Sequence, residues 1–296
     1  MRNLPPPSRD PAEGDLIKAI RQYRYRGLVR GHAITAAEVT AVLALYDQYD
    51  DGSAAPANAL KGGALPQSLC DAIRDAYDAT QEGRRLSSIR ETVRRDVELC
   101  PVCGVDPAIE LDHHLPRSVF KPLAIYARNL IPMCHGCNHA KRAHFGDDEE
   151  DTGFLNAYFH VLPNVDFLQA QVAIQDGGLV VDFGIDAHAA LPIGFAARLT
   201  RQIDILGLNA RYAWEINKYL SGQAIALHGE FHRGGAEAVR TYLSRLLSHA
   251  TIAYYRNHWQ PALLRALAGH DEFVDGGFAT VFPVPQDILN DLLRGP

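Results

Sequence analysis

Two Cys-x-x-Cys pairs, Cys100/Cys103 and Cys134/Cys137, stand thirty residues apart in the chain. Four thiolates in paired spacing form the ligand set of a closed tetrahedral zinc site, which leaves no coordination position open for a substrate. The task of such a site is to fold a segment too small to bury a core of its own. His135 and His139 lie close enough to be rival ligands, although four cysteines already complete the set. The fifth cysteine, Cys70, stands apart. In a reducing compartment this pattern reads as metal rather than disulfide.

Between the pairs lies a harder donor set. Asp112 and His113 are adjacent at the end of a predicted strand that Pro116 closes, and Asn138 follows Cys137 at the start of a predicted helix. If the cysteine pairs meet, Asn138 is carried beside the Asp112–His113 strand. A carboxylate and a carboxamide oxygen on a divalent cation, with an imidazole alongside, suit hydrolysis of a phosphodiester. The cation offsets charge building on the phosphate, and imidazole, with an ordinary pKa of about 6.5, accepts a proton from water near neutrality.

This stretch resembles the HNH nuclease motif of the ββα-metal fold in its zinc-stabilised form. The matching elements are Cys100/Cys103, Asp112-His113 with Pro116 three residues on, Asn129-Leu130, Cys134/Cys137-Asn138, and Lys141. The resemblance implies a β-hairpin and a helix wrapped round a catalytic Mg²⁺ or Mn²⁺. It implies His113 as general base, Asp112 and Asn138 as the ion's ligands, Asn129 as a brace that orients His113, and Lys141 on a phosphate. It also implies cleavage of DNA to 5′-phosphate and 3′-hydroxyl ends. Two positions depart from the common pattern: Asn138 stands where His is frequent, and His114 where an apolar residue is usual. His114 therefore stays a second candidate for the base.

The flanks must position this unit. Residues 1–14, rich in Pro and polar groups, read as a flexible arm. Residues 15–98 read as helical, beginning with a helix from Asp15 to Arg30. Thr35 and Glu38 form a capping-box signature, and further helices follow near 66–80 and 87–98. Residues 99–146 form the nuclease-like segment, and the acidic run from Asp147 to Asp151 marks its edge. Residues 152–296 read as an α+β accessory region: two strands about the Asp176-Gly177-Gly178 turn, then helices broken by glycine near 229–235 and 269. The expected fold class is thus α+β, with helical flanks around a small zinc-stapled ββα unit and a hairpin in an otherwise helical C-terminal region.

Of the 296 residues 47% are hydrophobic and 22% charged, a composition that rules out global disorder. No apolar run reaches membrane-spanning length and the opening residues lack a secretory core, so the expected location is cytoplasmic, with no membrane contact. The net charge of −6 provides no global attraction to a polyanion, so DNA must be held by local patches. Residues 100–145 carry five basic side chains, among them Arg117, Lys141 and Arg142, against three acids. Further cations crowd residues 18–30 and 84–95, where each run reads equally as a solvated helix face. The C-terminal half has no catalytic signature: Tyr254, Tyr255 and Trp259 read as a packing stripe before a base-stacking platform. It is the candidate region for binding a partner ATPase or effector, for homo-oligomerisation or for controlling access. Family analogy places such nucleases in bacterial phage defence or restriction. The competing reading is a zinc-binding interaction module whose nuclease site is idle or activated by a partner.

Overall fold

The computed structural model describes residues 1–20, 22–146 and 153–294. The acidic run Asp147–Asp151 lies outside the described residues. Helices predominate, and the described residues also contain three two-stranded antiparallel sheets.

The N-terminal region packs α1 (Ala12–Ala19), α2 (Ala36–Asp51), α3 (Gln67–Ala76) and α4 (Ser87–Arg94) around one apolar core. α2 opens on the expected capping box: Thr35 Oγ1 accepts from Glu38 N–H at 3.3 Å, and Glu38 Oε2 accepts from Thr35 N–H at 2.8 Å. Two expectations fail here. The helix read from Asp15 to Arg30 stops at Ala19, and the chain continues as a hairpin of β1 (Tyr23–Tyr25) and β2 (Leu28–Arg30). The cause is the Arg26-Gly27 turn, whose φ angles of +50° and +77° reverse the chain in the two-residue geometry that suits the twist of paired strands. Residues 1–14 are also no flexible arm. Met1 and Leu4 are buried, Arg2 N–H donates to Pro101 O at 2.9 Å, and Leu4 N–H donates to Ala157 O at 2.9 Å. The apolar side chains and free backbone groups of this segment find partners on both the central and C-terminal regions.

The central hairpin pairs β3 (Glu110–His113) with β4 (Leu130–Met133), in the register Glu110↔Met133, Leu111↔Pro132, Asp112↔Ile131 and His113↔Leu130. α5 (His135–Lys141) follows. Because side chains alternate along a strand, the hairpin serves two cores. Leu111 and Leu130 join the N-terminal core, whereas Ile131 and Met133 join the C-terminal one.

Beyond it, β5 (Leu168–Gln175) and β6 (Gly178–Ile185) form the expected hairpin, with Asp176 and Gly177 at positive φ in its turn. α6 (Phe195–Ile205) leads to α7 (Leu208–Ala253), which kinks at Gly234–Gly235, where the backbone leaves helical angles. α8 (Trp259–Gly269) packs back on α7 and β5, and α9 (Phe278–Val281) and α10 (Gln286–Arg294) complete the described chain. Tyr254 and Tyr255 follow α7, and Trp259 opens α8, buried against Tyr212 and Tyr219. No described helix is long and apolar enough to cross a membrane.

Candidate metal centre and β3–α5 seam

Cys100, Cys103, Cys134 and Cys137 are all buried, and their sulfurs lie within 4.8 Å of one another. Cys103 Sγ and Cys134 Sγ are 3.7 Å apart. A tetrahedron with Zn–S bonds of about 2.3 Å has edges of about 3.8 Å, whereas a disulfide needs about 2 Å. The cluster can therefore hold a metal ion such as zinc. Among the described residues it is the only group of three or more His, Cys, Asp or Glu ligand atoms close enough to do so. His135 and His139 are not in it; His135 Nδ1 instead meets Glu110 Oε1 at 2.8 Å.

The thiols do not ionise alike. Hydrogen bonds from the other cysteines pull Cys103 far down and bring Cys134 to about 6, while burial pushes Cys100 up and the neighbouring sulfurs push Cys137 up. A bound cation would complete the deprotonation. Around the sulfurs, Val105 N–H donates to Cys103 Sγ and Cys137 N–H to Cys134 Sγ, both at 3.4 Å. The Arg211 guanidinium, from α7, donates to Cys137 Sγ at 3.0 Å, Cys134 Sγ at 3.4 Å, Cys103 Sγ at 3.5 Å and Asp106 Oδ2 at 2.6 Å. Tyr212 O–H donates to Cys103 O at 3.0 Å and His258 Nε2–H to Gly104 O at 2.8 Å. Gly104 has φ of +70°, and a Cβ there would come within 2.6 Å of the His258 ring and of Tyr255 Oη, so only glycine permits this approach.

On β3, Glu110 and Asp112 point toward α5. Asn138 Nδ2–H donates to Glu110 Oε2 at 2.7 Å, and Lys141 Nζ lies 2.9 Å from Asp112 Oδ2 and 3.2 Å from Oδ1. These are successive rungs of one seam, two residues apart on the strand and three on the helix. Lys141 also donates to His113 O at 2.9 Å. Its side chain is 1% exposed and that of Asp112 4%. Burial raises the Asp112 pKa, and the Lys141 ammonium opposes that rise. Asp112 Oδ2, although charge-paired, accepts no hydrogen bond of good geometry. Glu110 holds the Asn138 amide nitrogen, and among the described residues no donor is seen on Asn138 Oδ1. Both are hard oxygen atoms, but Asp112 Oδ2 already faces the Lys141 ammonium.

His113 leaves β3 on the other face. Its Nε2 is 2.9 Å from Ala124 O, and since a carbonyl can only accept, Nε2 carries the proton and Nδ1 keeps the lone pair. Burial lowers its pKa to about 3, partly offset by that hydrogen bond. The Tyr77 ring lies 4.3 Å from the imidazole, and the Arg117 guanidinium lies 4.7 Å from the far partner, the same Tyr77 ring. His114 returns to the first face, where burial holds its pKa well below 6.5. Asn129, fully buried, crosses the loop between the strands: Nδ2 donates to Leu115 O at 3.0 Å and Leu123 O at 3.2 Å, and Oδ1 accepts from Leu115 N–H at 2.9 Å. It thereby fixes the loop that presents the Ala124 carbonyl to His113.

The structure therefore brings Asp112 and Asn138 to one seam and sets His113 on the opposite face of the same strand. Lys141, expected on a phosphate, is instead enclosed as the partner of Asp112, because an unpaired carboxylate at that depth would be costly. Arg117 remains at the surface, 3.3 Å from Asp78, and Arg142 is exposed at the end of α5. Glu110, counted in the sequence only among the acids of residues 100–145, and Arg211 are two site residues that no motif singles out. Alternation along β3 puts Glu110 beside Asp112 and is a signal for the first; nothing local signals Arg211. No protein-family model, curated protein or solved structure matches the chain.

Proposed function

We propose that the chain is a metal-dependent endonuclease of the HNH type that hydrolyses DNA phosphodiester bonds. The observation that carries this reading is His113, a neutral imidazole at the end of β3 whose Nε2–H is committed to Ala124 O and whose Nδ1 is free to take a proton. It stands in a hairpin followed by a helix, clasped at its base by the four thiols, for which zinc is the assigned ion. Asp112 and Asn138 are the assigned ligands of Mg²⁺ or Mn²⁺, which when bound supplies charge neutralisation at the phosphate. For that, the Lys141 ammonium must share or yield its place beside Asp112. His113 takes the proton of the attacking water at Nδ1, and a nearby phosphate raises its low pKa by favouring imidazolium. Asn129 holds the loop carbonyl that fixes the tautomer. DNA is the assigned partner, and the C-terminal region is assigned to partner binding or access control.

A second reading, a zinc-stapled interaction module with an idle site, is favoured by two observations: the Asp112 carboxylate already has a buried cation in Lys141, and His113 leaves β3 on the face opposite the Asp112–Asn138 seam, whereas one phosphate must meet both ion and base. Plasmid nicking in Mg²⁺ or Mn²⁺ separates the two. The nuclease reading expects nicking by the wild type and none by His113→Ala, at unchanged zinc content and circular dichroism. An inert wild type that retains its zinc, with Asp112→Ala and Asn138→Ala equally silent, would establish the second reading.

A further inference from the structure

The β1–β2 hairpin is the most unusual surface of the N-terminal region. Residues 24–31 are all exposed, and Tyr25, Leu28 and Val29 are 54%, 58% and 56% accessible. Arg24, Arg26 and Arg30 extend from it, while no Asp or Glu occurs between Asp15 and Glu38. None of the three arginines has an acidic partner among the described residues; Arg26 lies over the Tyr25 ring at 5.3 Å. Three arginines and three large apolar groups left in water on six strand and turn positions serve no core.

The register defines what each face offers. Tyr25 pairs with Leu28 and Arg24 with Val29, so Tyr25, Leu28 and Arg30 share one face. Tyr25 and Arg30 of that face line a groove of about 320 Å³ whose other walls include Ala72, Ala76 and Arg85, whereas Arg24 and Val29 lie on the opposite, solvent-exposed face of the ribbon. The small alanines leave room, an aromatic ring supplies a stacking surface, and Arg30 supplies a guanidinium. Asp75 also borders the groove but is neutralised by Arg74 at 2.8 Å. The α3 wall ends at Ala76, and the next residue is Tyr77, whose ring lies against His113.

We propose that the β1–β2 hairpin and its groove form a nucleic-acid-binding ribbon, with Arg24, Arg26 and Arg30 on backbone phosphates and Tyr25 against a base or sugar. Two-stranded ribbons fit the width of a DNA groove, arginine forks match phosphate oxygens, and aromatic rings accept bases of any sequence. This site gives a chain of net charge −6 a local cationic patch. The proposal rests on the nuclease reading only for its substrate class, and it is tested by binding rather than cleavage.

The test is fluorescence anisotropy of a labelled 20-base-pair duplex and of the matching single strand, without added magnesium or manganese, at several salt concentrations. Wild type is compared with Arg24→Gln/Arg26→Gln/Arg30→Gln and, separately, Tyr25→Ala. Because these side chains are exposed, melting temperature and zinc content serve as folding controls and should not move. The expected result is a duplex affinity at least tenfold weaker in the triple variant, with the slope of log K against log salt falling by about 2.7, for three lost phosphate contacts. Tyr25→Ala is expected to weaken single-strand binding with little change in slope. Equal affinity and slope in the triple variant would overturn the proposal, as would binding to phosphatidylserine vesicles but not to either DNA. If His113→Ala abolishes nicking while the triple variant binds like wild type, only the ribbon fails; if the ribbon binds DNA but no divalent cation yields nicking, only the nuclease reading fails.

Discussion

Asp112 and Lys141 form an ion pair 2.9 Å apart between β3 and α5, in a seam where both side chains are almost wholly removed from water. Breaking such a pair from one side leaves an uncompensated charge, which costs more than the pair itself contributes. Lys141→Met is therefore expected to destabilise the chain by about 3–5 kcal/mol. Asp112→Asn/Lys141→Met should recover most of that loss, since both charges are then gone. Urea unfolding of the two single variants and the double variant measures the coupling. A Lys141→Met cost below about 1 kcal/mol, the range of solvated surface pairs, would show that the seam is open to water.

Buried neutral histidines make the fold sensitive to acid. Burial lowers His113 and His258 from 6.5 to about 3, and His114 well below 6.5. For each, the unfolded chain binds a proton at a pH where the folded chain does not, so stability is complete above about 6.5 and is lost as pH falls from there toward 3. Each contributes a slope of up to about 1.4 kcal/mol per pH unit in that window. Melting temperatures at saturating zinc should fall steadily between pH 7 and 5.5. The His113 ring nitrogen shifts should still report the neutral Nε2–H tautomer at pH 5.5. An imidazolium signal there would contradict the enclosed position of this ring.

The thiol cluster, the capping box at Thr35 and the β5–β6 turn were legible because each is a local pattern: paired cysteines, a three-residue spacing, an Asp-Gly turn. Between Asp15 and Arg30, Leu16, Ile17 and Ile20 set a helical period that Tyr23 and Leu28 continue along the sequence. Two residues, Arg26 and Gly27, override it by taking positive φ. The resemblance puts Lys141 on a phosphate, but its burial depends on a carboxylate 29 residues away, which no local pattern signals. The same holds for Arg211, whose sulfur partners lie 74, 77 and 108 residues before it in the chain. Side-chain roles set by long-range pairing leave no periodic trace.

Arg211 gives the cluster a cation beyond its ligands. Four thiolates around a divalent ion carry a net charge of −2, and the Arg211 guanidinium donates to three of the four sulfurs. Partners of metal ligands commonly account for 10–100-fold in affinity. Arg211→Gln is accordingly expected to transfer zinc to a chromophoric chelator at about 10–100-fold lower competitor concentration. Arg211→Lys, which keeps the charge but not the fork, should fall between. Because Arg211 belongs to α7, the same variant should expose the C-terminal region to limited proteolysis. Unaltered chelator competition in Arg211→Gln would mean that the guanidinium merely fills space.

Glu110 is the residue whose role follows most directly from the seam. Its carboxylate accepts from Asn138 Nδ2–H at 2.7 Å and meets His135 Nδ1 at 2.8 Å, so it determines which end of the Asn138 amide faces away from the strand. Those hydrogen bonds hold its pKa below the ordinary value against the raising effect of burial. Glu110→Gln can offer its own amide nitrogen to Asn138 and so turn the Asn138 oxygen inward, whereas Glu110→Asp keeps the acceptor but shortens its reach. If Asn138 Oδ1 binds the catalytic cation, Glu110→Gln should raise the Mn²⁺ concentration for half-maximal nicking by about 10–100-fold while the maximal rate changes less. Electron paramagnetic resonance of Mn²⁺ titrations, which needs no turnover, should show the same weakening, with zinc content and melting temperature unchanged. Identical Mn²⁺ titrations for wild type and Glu110→Gln would remove Asn138 from the ion's ligand set and leave its amide as a structural strut between β3 and α5.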